Sequence, residues 1–141
     1  MTWVFEELTS EIIAAAIAVH KHLGPGLLET AYQVCLAAEF EDLQLKFQRE
    51  VPVPLTYKGR KLDCGFRVDF LVENAVILEL KAIEKLLPVH ESQVLSYLRF
   101  MDKRVGLLLN FNEPILKKGI RRFIVGGEPA SLSQGRAPSY L

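Results

Sequence analysis

The sequence has few cysteines, no excess of either charge and no long apolar run. Its two cysteines, Cys35 and Cys64, lie far apart and form no CxxC motif. This usage fits neither a zinc knuckle nor a disulfide framework and is typical of reduced, buried thiols. The 17 basic residues equal the 17 acidic ones, so no overall positive field draws the chain onto nucleic acid. The apolar stretch 12–19 is short and follows acidic residues, which predicts a cytoplasmic protein without a signal peptide or membrane span.

The motifs of several enzyme classes are also missing. The chain contains no GxSxG motif and no Cys and His pair that its pattern brings together, so nucleophilic catalysis is unsupported. The Gly24-Pro-Gly26 segment lacks the Gly-Lys-Ser/Thr ending of a phosphate loop, and helix termination explains it. His20 and His22 are two positions apart on a predicted helix and point in different directions, which makes them a poor pair of metal ligands.

What the chain does have is enough apolar sequence for one core. With 141 residues, of which 50% are hydrophobic, it corresponds to one domain that folds without disulfides. We expect this domain to span residues 1–125. Residues 126–141 are rich in glycine, proline and serine and predict a flexible C-terminal tail.

The spacing of apolar residues predicts two N-terminal helices. The first is expected to be capped by Thr9 or Ser10 and to end at Leu23. The second runs from Gly26 to about Leu43.

From residue 47 onward, alternating apolar and polar residues predict strands. Pro52 and Pro54 cannot donate hydrogen bonds, so the first strand is expected at a sheet edge. The remaining predicted elements are a hairpin turn at 57–60, strands at about 62–72 and 76–81, a helix after Pro88, a buried parallel strand at 105–109, a short helix at 113–118 and a last strand at 120–125.

The predicted hairpin around residue 74 fixes its own register. Its apolar residues form one continuous face if the turn is three residues long, with Val72 opposite Val76. That register places Asp69 directly opposite Glu79. The apolar face then consists of Val68, Phe70, Val72, Val76, Leu78 and Leu80.

Two facing carboxylates need a partner that offsets their repulsion. Their Cβ atoms are about 5 Å apart, and like charges that close repel by up to about 4 kcal/mol at an effective dielectric near 20. A divalent cation suits two carboxylates on rigid strands. A cross-strand ion network is the alternative, because Lys81 follows Glu79 on the same face and Arg67 lies across from Lys81.

The basic residues are concentrated late in the chain. Residues 103–122 contain six bases and one acid, Glu113. This cluster indicates either a surface that contacts phosphates or an ordinary solvated face.

Four blocks of the sequence together carry a family resemblance. They are Gly26-Leu-Leu-Glu29-Thr-Ala-Tyr32, Leu62-Asp-Cys-Gly-Phe-Arg-Val-Asp69, Glu79-Leu-Lys-Ala and Leu87-Pro-Val-His-Glu-Ser-Gln93. In this order, over residues 8–125, they resemble the GxxExxY family of the PD-(D/E)XK nuclease superfamily. Val68 stands where the superfamily's name has proline, a departure that removes no ligand. The resemblance implies an α/β, restriction-endonuclease-like αβββαβ core with a mixed central sheet flanked by helices, preceded by one extra N-terminal helix.

The resemblance also implies a role for individual residues. The metal ligands would be Glu29, Asp69, Glu79 and the backbone carbonyl of Leu80. Lys81 would stabilise developing negative charge or position the attacking water, and Gln93 would take an auxiliary position, so the catalytic set is Asp69, Glu79, Lys81 and Gln93. Tyr32 would line the entrance. Contacts with nucleic acid are expected from Tyr32, Arg67, Lys117, Lys118, Arg121 and Arg122.

The function that we expect is a Mg²⁺-dependent nuclease, with Mn²⁺ able to substitute, acting on DNA rather than RNA. A second interpretation is a nuclease-like fold used as a binding or assembly module without turnover. A third uses Asp69 and Glu79 as an acid and base pair on another substrate, although inverting glycoside hydrolysis needs carboxyls about 6.5 to 9.5 Å apart. Because the net charge is zero, a homodimer or a protein partner could supply additional binding.

Overall fold

The computed structural model describes residues 5–126, to which the structural statements below refer. The helices are α1 (Glu6–Leu23), α2 (Glu29–Asp42) and α3 (Pro88–Met101). The strands are β1 (Phe47–Pro52), β2 (Leu55–Tyr57), β3 (Arg60–Leu62), β4 (Arg67–Val72), β5 (Val76–Lys81), β6 (Val105–Asn110) and β7 (Ile120–Ile124), with a short 3₁₀ helix, η1 (Leu116–Gly119), before β7. None of these helices is long and apolar enough to cross a membrane. Apart from Gly126, the expected tail lies outside the described residues.

Five strands form one mixed sheet in the order β1-β4-β5-β6-β7. The β5–β6 pair is parallel, as a helical crossover through α3 requires, and the other pairs are antiparallel. Strands β2 and β3 form a separate two-stranded hairpin. The predicted restriction-endonuclease-like core with an extra N-terminal helix is therefore confirmed, including the edge position of β1.

The sheet is covered by helices on both faces. On one face, α1 and α2 contribute residues such as Ile12 and Phe40 to a core shared with Phe70 and Leu78. On the other face, α3 packs on the sheet through residues that include Leu98. Burial of these apolar side chains on both sides holds the strands in fixed positions, which makes the sheet a rigid support for polar groups at its end.

The structure differs from the sequence expectations in two details, which are the residue at which α1 begins and the division of one predicted strand into two. Helix α1 begins at Glu6 rather than at Thr9, whose hydroxyl donates to the Glu6 carbonyl at 3.1 Å from inside the helix. The predicted strand at 62–72 is split into β3 and β4, because the Asp63 carboxylate accepts the Gly65 N–H at 2.8 Å and turns the chain. Cys64 is exposed in this turn, so the expectation of a buried thiol is wrong there.

The β4–β5 register is the predicted one, with Val72 paired to Val76 and Phe70 paired to Leu78. One residue of the expected apolar face departs from it. Val68 packs in the α3-side core, whereas the other five residues pack in the core under α1 and α2. The regular pairing of β4 with β5 stops at the intervening Asp69. The side chains of Val68 and Phe70 therefore lie on opposite faces of the sheet.

Tyr32 is a structural residue of the turn between α1 and α2. Its side chain is fully buried, its ring stacks on Phe111 with 4.5 Å between centroids, and its hydroxyl donates to the Gly24 carbonyl at 2.7 Å. The same hydroxyl accepts the Leu27 N–H at 3.1 Å. The expectation that Tyr32 lines the entrance and contacts nucleic acid is therefore wrong, because a fully buried side chain has no surface to offer.

Replacing Tyr32→Phe is expected to lower the free energy of unfolding by about 1–3 kcal/mol, because the partly buried Gly24 carbonyl and the Leu27 N–H lose their shared partner. Denaturant unfolding followed by circular dichroism measures this loss. Tyr57→Phe is the matched control, because Tyr57 is more than half exposed, and it should leave stability unchanged. Equal stability of the Tyr32 variant and the wild type would contradict this role.

Candidate metal and catalytic site

Three carboxylates lie side by side on adjacent strands. The register of β1 against β4 places Glu50 opposite Asp69, and the register of β4 against β5 places Asp69 opposite Glu79. We call these three residues the acidic row. Asp69 forms no regular backbone pair with Glu50 on β1 or with Glu79 on β5, so the sheet is locally open around it. Glu50 has a left-handed backbone with φ 53°, a conformation rare outside glycine and typical of functional sites.

Side chains replace the missing backbone acceptors between β4 and β5. The Asp69 N–H donates to Oε1 of Glu79 at 3.1 Å, and the Leu80 N–H donates to Oδ2 of Asp69 at 2.7 Å. Each carboxylate is thus held by the opposite strand, which fixes the position of both groups. Oδ1 of Asp69 and Oε2 of Glu79 take no part in these two hydrogen bonds.

The environment of the pair favours its protonated forms. Burial raises the pKa of Asp69 to about 6, the negative charges of Glu29 and Glu50 act in the same direction, and the Leu80 N–H opposes them. Burial also raises the pKa of Glu79 to about 8, reinforced by the charge of Asp69. Lys81 lowers both pKa values. Burial and like charge destabilise the ionised carboxylates, and a cation placed between these groups would stabilise them.

Gln33 on α2 connects two members of the acidic row. Its side-chain N–H₂ group donates to Oε2 of Glu50 at 2.8 Å and to Oδ1 of Asp69 at 3.1 Å. Its amide oxygen accepts from Nη2 of Arg49 at 2.7 Å. Gln33, Glu50 and Arg49 are not among the residues expected from the sequence. One signal was available, because Gln33 lies one helical turn after Glu29 and shares its face of α2.

The backbone around Lys81, the last residue of β5, is held by Asn110 of β6 and by the residue that follows it. These two residues pair across β5 and β6, and Asn110 is fully buried. The Asn110 side chain accepts the Ile83 N–H at 3.1 Å and donates to the Ile83 carbonyl at 3.0 Å. The Phe111 N–H donates to the Lys81 carbonyl at 2.8 Å. The backbone on both sides of Lys81 is therefore held, which limits where its ammonium group can lie.

Gln93 reaches the acidic row through Tyr97. Burial raises the pKa of the Tyr97 hydroxyl, the charge of Glu79 adds to this, and a hydrogen bond with Gln93 acts in the opposite direction. Both residues lie on α3, one turn apart, and Tyr97 packs against the sheet. Gln93 is thus linked to Glu79 only indirectly, through Tyr97, and its expected auxiliary role stays a prediction.

Glu29 lies at the start of α2, is exposed, and acts on Asp69 and Glu79 through its charge. Within residues 5–126, no three His, Cys, Asp or Glu side chains are close enough to hold one ion, so the expected trio is not assembled. Two carboxylates beside the backbone of Leu80 still fit Mg²⁺, which commonly takes one or two carboxylates and keeps several waters.

The alternative of a cross-strand ion network is not observed. Asp69 and Glu79 form no salt bridge with Lys81 or Arg67 in the described part of the chain. Arg67 is exposed, and its Nη1 donates to the Phe66 carbonyl at 3.1 Å. The charge of Lys81 therefore offsets the repulsion within the acidic row only in part, and a proton or a bound cation would offset it further.

The late basic residues do not form one surface. Lys117 and Lys118 are exposed on η1, at the end of the sheet that carries Lys81. On β7, Arg121 pairs with Leu108 and forms a salt bridge of 3.7 Å with Glu91 of α3. Arg122 pairs with Leu107 on the opposite face, where it is partly buried and feels the charge of Glu6. The alternation of side chains along a strand separates the two arginines.

The fold and the site together are those of a nuclease-like α/β protein with an acidic pair and a lysine at the end of a central strand. A family model for the PD-(D/E)XK nuclease superfamily matches residues 6–123. The chain therefore belongs to this superfamily, whose members generally use divalent metal ions. Searches of curated proteins and of solved structures found no match.

The metal-free protein is expected to lose stability as the pH rises from about 4 to about 8. Asp69 and Glu79 bind protons more tightly in the folded state, so their contribution is fully present below the unfolded pKa and is lost as the pH passes the folded values near 6 and 8. Thermal unfolding across this range measures the loss. Glu79→Gln should flatten the upper part of the profile, whereas the exposed control Glu84→Gln should not. Profiles of the same slope in both variants would contradict the assignment.

Gln33→Leu is expected to weaken Mn²⁺ binding by about 10-fold to 100-fold, because residues that orient a metal ligand typically contribute this much. The substitution keeps the size of the side chain and removes the group that holds Oδ1 of Asp69. Calorimetric titration of Mn²⁺ measures the change. Gln48→Leu, an exposed position two residues before Glu50 on β1, is the control. Unchanged affinity in the Gln33 variant would show that this amide does not orient Asp69 for a metal.

Proposed function

We propose that this protein is a Mg²⁺-dependent nuclease of the GxxExxY type, which hydrolyses phosphodiester bonds of nucleic acid, DNA in preference to RNA. Mn²⁺ is expected to substitute. The observation that carries the proposal is the exchange of backbone N–H groups that fixes Asp69 and Glu79 against each other. Lys81 stands beside this pair, on the strand that carries Glu79, in a chain that belongs to a nuclease superfamily.

Asp69, Glu79 and the carbonyl of Leu80 would hold the metal ion, which when bound supplies a Lewis acid and lowers the pKa of a water. The chain's own residues then have separate tasks. Lys81 stabilises the negative charge that develops on the phosphoryl group, since its ammonium already acts on both carboxylates. Gln33 keeps Asp69 oriented from the α2 side, and Gln93 keeps Tyr97 beside Glu79 from the α3 side.

Glu29 has a more distant role in this proposal. Its carboxylate adds negative potential at the site and would meet a cation through a water rather than directly, since no third ligand is close enough among residues 5–126. The charge of Glu29 would thus strengthen the attraction for a cation without occupying a coordination position.

A binding module without turnover is the second candidate. The observation that favours it is the same lack of a third carboxylate within coordination distance in the described part of the chain. The two candidates predict different results for cleavage. A nuclease cleaves nucleic acid at a rate that depends on Glu79 and Lys81, whereas a binding module does not cleave it.

Glu79→Gln and Lys81→Met are each expected to reduce cleavage by about 100-fold to 1000-fold, the size typical for removing one group that stabilises a transition state. Labelled single-stranded, duplex and branched DNA, and RNA, are incubated with Mg²⁺ or Mn²⁺, and EDTA should abolish cleavage. The matched controls are Glu84→Gln and Lys85→Met, two exposed residues of the same types in the following loop.

Equal cleavage by wild type and by the two site variants would exclude these catalytic roles. Binding of nucleic acid without cleavage in the presence of either metal would favour the second candidate. Thermal unfolding of each variant establishes that a lost activity does not come from a lost fold.

A further inference from the structure

One end of the sheet carries the proposed site and is connected to an exposed hairpin. At this end, Pro52 of β1 pairs with Arg67 of β4, and Lys81 of β5 pairs with Asn110 of β6. The chain leaves this end after β1, forms β2 and β3, and returns into β4. We call residues 55–62 the basic hairpin. It forms a two-stranded sheet of its own and is connected through β1 and β4 to the end of the main sheet where Lys81 lies.

The composition of the basic hairpin is not explained by packing. All three residues of β3 are exposed, as are two of the three residues of β2. Its charged residues are Lys58, Arg60 and Lys61, and it contains no acid. The nearby Asp63 is engaged by the Gly65 N–H. Three cations thus stand on an exposed element whose contribution to the core is small.

An aromatic ring accompanies the cations. Tyr57 is 54% exposed at the start of the hairpin turn, and the Lys58 ammonium lies 5.5 Å from the centre of its ring. Exposed aromatic rings beside lysine and arginine are the combination with which proteins bind single-stranded nucleic acid, by stacking bases and neutralising phosphates.

The root of the hairpin is anchored next to the proposed site. Val53 is buried, and its N–H donates to the Phe66 carbonyl at 2.9 Å. The Phe66 ring contacts the Tyr97 ring with 6.1 Å between centroids. Tyr97 in turn lies close enough to Glu79 to feel its charge. A ligand on the hairpin would therefore have a fixed position relative to the acidic row.

We propose that the basic hairpin binds the substrate strand, with Lys58, Arg60 and Lys61 on its phosphates and Tyr57 against a base. The identity of the ligand rests on the proposed nuclease function. Arg60 and Arg67 are seven positions apart, so an extended chain limits the hairpin's reach to about 25 Å. Asp69 lies two positions further on, so at about 3.4 Å per nucleotide the hairpin backbone lies within about ten nucleotides of the acidic row.

The test compares two triple variants that each remove three positive charges. One combines Lys58→Ala, Arg60→Ala and Lys61→Ala. The control combines Lys46→Ala, Arg99→Ala and Arg104→Ala, whose positions lie at or near the opposite end of the sheet. Both are placed in full-length Glu79→Gln protein with Mg²⁺. Fluorescence anisotropy then measures binding of 20-nucleotide single-stranded and 20-base-pair DNA at several salt concentrations.

The hairpin variant is expected to bind about 10-fold to 100-fold more weakly and to lower the slope of log K against log salt by about 2 to 3, since each lost phosphate contact contributes roughly 0.7 to 0.9. The control should bind like its parent. In otherwise wild-type protein, the hairpin variant should raise KM and leave kcat unchanged.

Equal binding by the hairpin variant and the control would overturn the proposal, even if the wild type cleaves DNA. Loss of binding in the hairpin variant alone would support it, even if no cleavage is found, in which case only the nuclease function fails. A second measurement requires no substitution in the hairpin. Ultraviolet crosslinking of bromouracil DNA to the parent protein should label a peptide that contains Tyr57, and labels confined to other peptides would contradict the proposal.

Discussion

The site depends on a constraint that ordinary sheets avoid, which is the placement of like charges on neighbouring strands. Glu50, Asp69 and Glu79 share one level of three adjacent strands, and the sheet accommodates them by giving up its regular pairing there. The carboxylates take over as acceptors for the N–H groups that the opening would leave unpaired. The acidic row is thereby both the source of the electrostatic strain and part of the hydrogen bonding that holds the strands together.

The rest of the architecture arranges cations and donors around that row without cancelling it. Arg49 holds Gln33, and Gln33 spans two of the carboxylates. Lys81 acts on the pair from the end of its own strand without forming a salt bridge with it in the described residues. None of these groups cancels the effect of burial and like charge, which keeps the pKa values of Asp69 and Glu79 raised.

Sequence patterning predicted the parts that follow from periodicity. The alternation of apolar residues sufficed to set Val72 against Val76, and the position of Asp69 opposite Glu79 follows from that pairing. The crossover through α3 likewise predicted the parallel strand β6. These features depend on the local pattern of apolar residues and on short connections, which can be read from residues close together in the sequence.

The features that sequence could not supply depend on contacts between distant segments. Glu50 joins the row only through the β1–β4 register, which the prolines near the end of β1 leave undetermined. Tyr32 occurs within a motif of the resemblance, yet the packing of α2 on Phe111 buries it. Arg121 and Arg122 are adjacent in sequence but lie on opposite faces of an edge strand, so a count of charges overestimated the surface they form.

Asn110 gives the protein a built-in order of events during synthesis. The backbone around Lys81 is secured only when Asn110 reaches Ile83 and Phe111 reaches the Lys81 carbonyl, and both partners belong to the last third of the chain. A polypeptide still emerging from the ribosome contains the acidic residues and the lysine long before it contains the strand that fixes them. Pairing between such distant segments forms late in folding. A chain that ends before Asn110 therefore holds Lys81 without the contacts that fix its backbone beside the acidic row.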